Sequence, residues 1–323
     1  MHQAIVFTGV DTPTLQTVTL PALAADEVLI ETAYSCVSPG TELRCLAGQQ
    51  DGLKFPFIPG YSLSGIVVQT GAAVTSIAVG MPVFCTGTMR ADLLLAWGGH
   101  VSHAIQKAGN VYPLPAGVDL LDAAVTHIAG ISYHGMRLSQ PMAHETVVVV
   151  GLGIIGQFSA RLHALSGARV LGVDLAPERV RLLRDVGIDA VTSLGEARAL
   201  LPDGADIVVD ASGVSSLIAQ AVDLARALPW DDTPTPNARY LIQGSYAGDF
   251  AVPYQAAFMK QLTFMIPRDA QPRDFRTVLD LLSRRKLSVR DLLSEVASPA
   301  DAPRIYRALR NRDLLTAVFA WRG

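Results

Sequence analysis

Three glycines in the stretch TVVVVGLGIIGQFSARLHAL set the first chemical expectation. Gly151, Gly153 and Gly156 follow a run of four valines and open a segment with helical spacing. Asp174 stands 18 residues past the last of them, at the end of the next apolar run, VLGVD. Each position has a physical task. The first glycine makes a tight turn, the second lets the backbone come close to a pyrophosphate, and the third lets helix and strand pack closely. The helix N-terminus offers unbonded N–H groups and the positive end of its dipole to the phosphates. The bland alternative is a glycine-rich turn that binds nothing. Strand before, helix after and an acid near the usual spacing of about 20 residues favour a dinucleotide site. Asp174 is suited to accept from the adenosine ribose hydroxyls and to repel a 2′-phosphate, so NAD is the expected cofactor rather than NADP. Arg179 is expected on a helix surface. The expected cofactor-binding residues are Gly151, Gly153, Ile154, Ile155, Gly156 and Asp174. Ser212, Gly244 and Ser245 join them, in the small-residue turns that end ADIVVDASG and RYLIQGSYAG.

The elements that must hold these residues follow from the texture of the chain. Before about residue 120, QAIVFTG, EVLIETAYSCVS, GIVVQTG and PVFCTG are short β-branched or alternating runs between Gly, Pro and Asp, which predicts strands. LLDAAVTHIAGISYHGMRL has helical spacing, and beyond it strands alternate with helices, which predicts a parallel sheet with helices on its faces. PWDDTPTPNA, residues 229–238, reads as a surface loop. Helices are expected around 272–286 and 300–311, RDLLSEVASPADAP as a helix end and turn, and LLTAVFAW as a last strand.

The totals narrow the class. With 323 residues, half of them hydrophobic and 17% charged, the chain has enough apolar surface for two cores. A formal charge of −3 points to neither nucleic acid nor an anionic membrane as partner. Cys36, Cys45 and Cys85 form no CxxC, leave an odd thiol and exclude a four-thiolate zinc site. No basic-then-apolar leader is read at the start, and a cytoplasmic protein is expected. His100 and His103, in WGGHVSHAI, alternate as on a strand. No carboxylate or thiol lies within that run, so a structural role is expected, as it is for His134.

In sum the motifs resemble the medium-chain dehydrogenase/reductase superfamily, the zinc alcohol dehydrogenase relatives, over essentially the whole chain. The matching stretches are SPGTE, FPFIPGYSLSGIVVQTG and GNVYPLPAGVDLLDAA, followed by the nucleotide-binding unit and a C-terminal return. The resemblance implies an α/β protein with a GroES-like β-barrel catalytic domain, residues 1–122 and 272–323. A Rossmann domain with a doubly wound parallel sheet, residues 123–271, is set between its halves, with the active site in the cleft. It implies a homodimer acting on a small-molecule substrate.

The zinc ligands of that family are missing. Ser38-Pro39-Gly40-Thr41-Glu42 stands where zinc members have a Cys-Gly-Thr/Ser-Asp motif, Gly60-Tyr61-Ser62 where they have Gly-His-Glu, and His127 at their third ligand. One imidazole, a phenol and a hydroxyl do not make a three-ligand zinc site. A zinc-independent member is expected, with no bound metal. Tyr61 and His127 then become the candidates for proton transfer, with Thr41 or Ser38 completing a hydroxyl relay. The competing reading for both is simple packing. The leading expectation is an NAD(H)-dependent oxidoreductase for a secondary alcohol or its ketone, on a biosynthetic or sugar-like substrate. The N-terminal motif is also similar to that of the bacteriochlorophyllide hydroxyethyl dehydrogenases. Two alternatives are an NADPH-dependent quinone or enoyl reductase, which Asp174 speaks against, and a nucleotide-binding sensor without catalysis.

Overall fold

The valine run becomes the middle of a sheet because both of its faces find apolar cover. In the computed structural model, which describes residues 2–230, 235–246 and 248–322, Thr146–Val150 is one of six parallel strands. Their order is Asp189–Val191, Arg169–Val173, Thr146–Val150, Ile207–Asp210, Arg239–Ile242 and Thr263–Met265. Val148, Val150, Leu171, Val208 and Tyr240 pack on one face with Ala197, Ile218 and Ala221. Val147, Val149, Val170, Ile207 and Leu241 pack on the other with Leu152, Ala160 and Leu183. Successive residues of a strand point to opposite faces, so a strand covered twice reads as an unbroken apolar run. The doubly wound sheet and its order are those of a Rossmann unit, with the reversal between Thr146–Val150 and Ile207–Asp210.

That sheet belongs to the compact unit Ala129–Asp274, and the other unit is built from both ends of the chain, Met1–Ile128 with Phe275–Gly323. This second unit is β-rich. Glu27–Cys36 pairs antiparallel with Leu63–Thr70, His103–Lys107 and Ala317–Ala320. A smaller sheet runs Thr12–Val18, His2–Gly9, Phe57–Ile58, Leu94–Leu95. Cys45 and Leu46 of the helix Pro39–Leu46 and Ile305, Tyr306 and Leu309 of the helix Ala302–Asn311 share a core with Phe7, Phe57 and Phe319. The two ends of the sequence thus close over one apolar cluster.

Three local expectations change. SPGTE, within the region where only strands are expected, starts the helix Pro39–Leu46, with proline in its first turn, where a missing N–H costs no hydrogen bond. The helical stretch after residue 119 divides into Leu120–Ala123 and Thr126–Ser139. Within RDLLSEVASPADAP, Glu295–Ala297 forms a strand parallel to Ala317–Ala320, a pairing too short and too distant along the chain to leave a periodic pattern. Of the loop at 229–238, residues 231–234 lie outside the described residues. Among the described residues no helix is long and apolar enough to cross a membrane.

Candidate active site

In the β-rich unit, four residues singled out in the sequence come together. Gly60 has φ +86°, and a Cβ there would lie 2.6 Å from the His100 ring, so only glycine makes this turn. The turn delivers Tyr61, 7% exposed, with its phenol donating to Ser38 Oγ and lying 3.5 Å from Thr41 Oγ1. Ser38 is the N-cap of the helix Pro39–Leu46, and Thr41 sits in its first turn. His127, 6% exposed, opens the helix Thr126–Ser139, its ring 4.8 Å from that of Tyr61. Its Nδ1 is 2.8 Å from the Tyr61 carbonyl oxygen. A carbonyl only accepts, so Nδ1 carries the proton, and in the neutral ring Nε2 is the basic nitrogen. Trp97, half exposed and with φ +70°, also meets the phenol ring edge-on, with ring centroids 5.4 Å apart.

Ser62 does not face this cluster. Its hydroxyl donates to the Ala124 carbonyl at 2.5 Å and accepts the His127 N–H at 3.3 Å, which fixes the entry to the helix Thr126–Ser139. The three thiols are buried, and burial pushes each up to about 12, far from the thiolate that a metal or a nucleophile needs. Among the described residues no group of three or more His, Cys, Asp or Glu is placed to hold a metal ion. His103 begins a strand opposite Glu31, whereas His100 lies outside that strand and is fully buried. His134, expected as a packing residue, instead lies 3.0 Å from the buried carboxylate of Asp274, which also takes Arg137 Nε at 3.1 Å. An apolar helical pattern gives no hint of that polar pair.

In the Rossmann unit the glycine turn has the expected geometry. Gly151 has φ +89°, and a Cβ on it would lie 2.7 Å from Ser212. A Cβ on Gly156 would lie 1.8 Å from the Gly151 carbonyl, while one on Gly153 would meet nothing within 4 Å. The open side at Gly153 is where a phosphate can come close to the backbone. Gly153 caps the helix Ile154–Leu165 without a side-chain bond. Ile154 is buried and Ile155 half-buried in its first turn. Gly213, between Ser212 and the Gly244-Ser245 turn, packs 2.6 Å from where a Gly244 Cβ would stand. Ser212, Gly244 and Gly151 therefore converge at the carboxyl ends of the central strands, with Ser245 beside Gly213.

Asp174 accepts the Leu152 N–H on Oδ2 at 2.7 Å and the Ala176 N–H on Oδ1 at 2.9 Å. Arg179 is not merely a surface residue, for its guanidinium reaches to 3.6 Å from Asp174. The one-turn reach from the next helix was the available signal. Asp210 was missed altogether. Fully buried, it accepts from the Ser212 N–H and hydroxyl at 3.0 and 2.7 Å and from the Tyr240 phenol at 2.9 Å, which pins the Ser212 turn. An acid ending an apolar strand, as in IVVD, was its only trace.

Residues 24–116 match the family model "Alcohol dehydrogenase GroES-like domain". The chain is 25% identical over 334 residues to a sorbitol dehydrogenase of Halalkalibacterium halodurans, covering 92% of each. A Sinorhizobium meliloti 1021 dehydrogenase solved with NADP superposes with a TM-score of 0.86 at 21% identity, over 99% of both chains. An Escherichia coli CFT073 alcohol dehydrogenase solved with NADH gives 0.84 at 20%, again over 99% of both. These two likenesses speak for the fold. The GroES-like segment and the full-length relative make the chain a dehydrogenase or reductase similar to the medium-chain alcohol dehydrogenases.

Proposed function

We propose that the protein interconverts a secondary alcohol and a ketone on a polyol or sugar-like substrate, with NAD(H) as cofactor, Tyr61 as proton donor and no zinc. The observation that carries this reading is the Tyr61 phenol bonded to Ser38, with Thr41 and His127 against it. The substrate class is supported by the sorbitol dehydrogenase relative. The open face at Gly153 and the carboxylate of Asp174 support a nicotinamide dinucleotide, and Asp174 favours the form without a 2′-phosphate. Residues 123–271 would hold it, and residues 1–122 with 272–323 would bear on the substrate.

When bound, the nicotinamide supplies the hydride to the carbonyl carbon. As charge develops on the carbonyl oxygen, Tyr61 Oη gives it the proton. The Ser38 and Thr41 hydroxyls can turn from accepting to donating and so stabilise the phenolate left behind. His127, held by its Nδ1–H on the Tyr61 carbonyl, would take a proton from solvent on Nε2 and pass it to the phenolate, which restores the donor. Zinc has no place in this scheme because the donors do not suit it. A phenol, a serine engaged with a backbone carbonyl and one imidazole stand where three ligands are required.

The three buried free thiols support a reducing cytoplasm. An apolar surface at the sheet edge supports a homodimer. The test of the donor is Tyr61→Phe, which keeps the ring and deletes the hydroxyl. It should lower kcat ~10²–10⁴-fold, the usual contribution of a positioned acid, with NADH affinity and melting temperature nearly unchanged. Full kcat in this variant would return Tyr61 to packing and move the search to Thr41, Ser38 or a bound water.

A further inference from the structure

Ser38 occupies the N-cap of the helix Pro39–Leu46, where a serine hydroxyl ordinarily accepts from a first-turn N–H. It makes no such bond, and its Oγ accepts from Tyr61 instead. The task of holding the helix start passes to Glu42, whose Oε1 accepts the Ser38 N–H at 2.8 Å. The other oxygen of that carboxylate, Oε2, accepts from His100 Nε2 at 2.9 Å and from the Tyr306 phenol at 2.5 Å. His100 Nδ1 is 2.8 Å from Ser35 Oγ, which also accepts Trp321 Nε1 at 2.8 Å. Glu42, His100 and Ser35 are fully buried and Tyr306 nearly so. The same His100 ring lies under Gly60, where it leaves no room for a Cβ. His100 therefore backs the turn that carries Tyr61, while its partner Glu42 holds Ser38. The two ends of the Tyr61–Ser38 hydrogen bond are set by one buried pair.

We propose that Glu42 and His100 are positioning residues for the proton donor, fixing the Ser38 hydroxyl and the Gly60–Tyr61 turn in mutual register. The proposal rests on Tyr61 being the donor. Neither residue meets the substrate. A buried carboxylate is weak evidence for stability, because desolvation offsets much of what its partners give, so folding alone explains this network poorly. Orientation explains it better, since a misplacement of about 1 Å at a reacting group costs ~10²-fold in rate.

The test is a double-mutant cycle on the full-length protein, with NAD and the best alcohol from a panel of polyols and secondary alcohols starting with sorbitol. Glu42→Gln keeps the side-chain volume but turns one acceptor into a donor. It should lower kcat ~10²-fold with NADH affinity by calorimetry unchanged, and lower it less than about twofold when Tyr61 is already Phe. If Glu42→Gln does not fold, His100→Gln enters the same cycle from the other side of the pair. Losses that multiply in the Tyr61→Phe background, or an unchanged kcat in the Tyr61 background, overturn the proposal alone. Full kcat in Tyr61→Phe, or no turnover by the unmodified protein across the panel, overturns the functional reading and this proposal with it.

Discussion

Asp174 is engaged with the chain before any ribose reaches it. Its oxygens each accept one backbone N–H, from Leu152 and Ala176, and each keeps a lone pair for a ribose hydroxyl. The Leu152 bond ties the carboxylate to the glycine turn itself, so ribose and pyrophosphate recognition share one rigid piece. Arg179 at 3.6 Å offsets part of the negative charge that would repel a 2′-phosphate. NADH is therefore expected to bind more tightly than NADPH, with Asp174→Ala narrowing the difference and Arg179→Ala widening it. Equal dissociation constants by calorimetry for the unmodified protein would sink the assignment of NAD. The same residue-level chemistry bears on zinc. With Ser62 spent on Ala124 and the thiols pushed up to about 12, elemental analysis should find no stoichiometric zinc, and chelation should leave turnover intact. One zinc per chain would bring His127 back as a ligand.

At the scale of the element, the strand–turn–helix around Gly151 allows its three glycines to be told apart by experiment. Gly156→Ala would drive a methyl to 1.8 Å from the Gly151 carbonyl, so the turn must open and the protein should lose stability even without cofactor. Gly153→Ala meets nothing in the protein, so its melting temperature should stay close to that of the parent while NADH affinity falls about tenfold or more. A Gly153→Ala protein with undiminished NADH affinity would show that no phosphate approaches there. This motif was legible because its logic is local: turn, helix start and acid fall within one strand–helix–strand stretch. The hydroxyl cluster was legible only through resemblance, since Ser38, Tyr61 and His127 are joined by tertiary contacts. The pair behind it left no signal at all. Glu42 and His100 are 58 residues apart, and a histidine in WGGHVSHAI looks the same whether it packs or holds a carboxylate. The strand Glu295–Ala297 was hidden for a similar reason, its register set by a tertiary pairing with Ala317–Phe319, 22 residues further on.

For the whole molecule, the open question on its surface is what covers the end of the parallel sheet. Thr263–Met265 is the last strand in the order and pairs only with Arg239–Ile242 among the described strands. Soluble proteins usually guard such an edge with charge, proline or a covering element. Here the strand reads Thr-Phe-Met, and apolar side chains stand around it: Trp230 is 84% exposed, Tyr254 73% and Ile266 67%. Trp230, Tyr254, Phe258 and Phe264 line one groove beside the strand. An edge strand is self-complementary under a two-fold axis, because its N–H and C=O groups can pair antiparallel with those of a second copy, and the surrounding apolar groups are then buried twice over. A homodimer joined through the nucleotide-binding units is the expected state, with twice the chain mass by light scattering at micromolar concentration. Phe258→Glu with Ile266→Glu adds two carboxylates to that exposed apolar surface and should shift the mass to the monomer. Both positions lie away from the glycine turn and Asp174 in the sequence, and neither packs in its core cluster, so NADH affinity should survive the change. A monomeric mass for the unmodified protein would contradict the dimer outright. An unchanged dimer in the doubly charged variant would move the interface to another face.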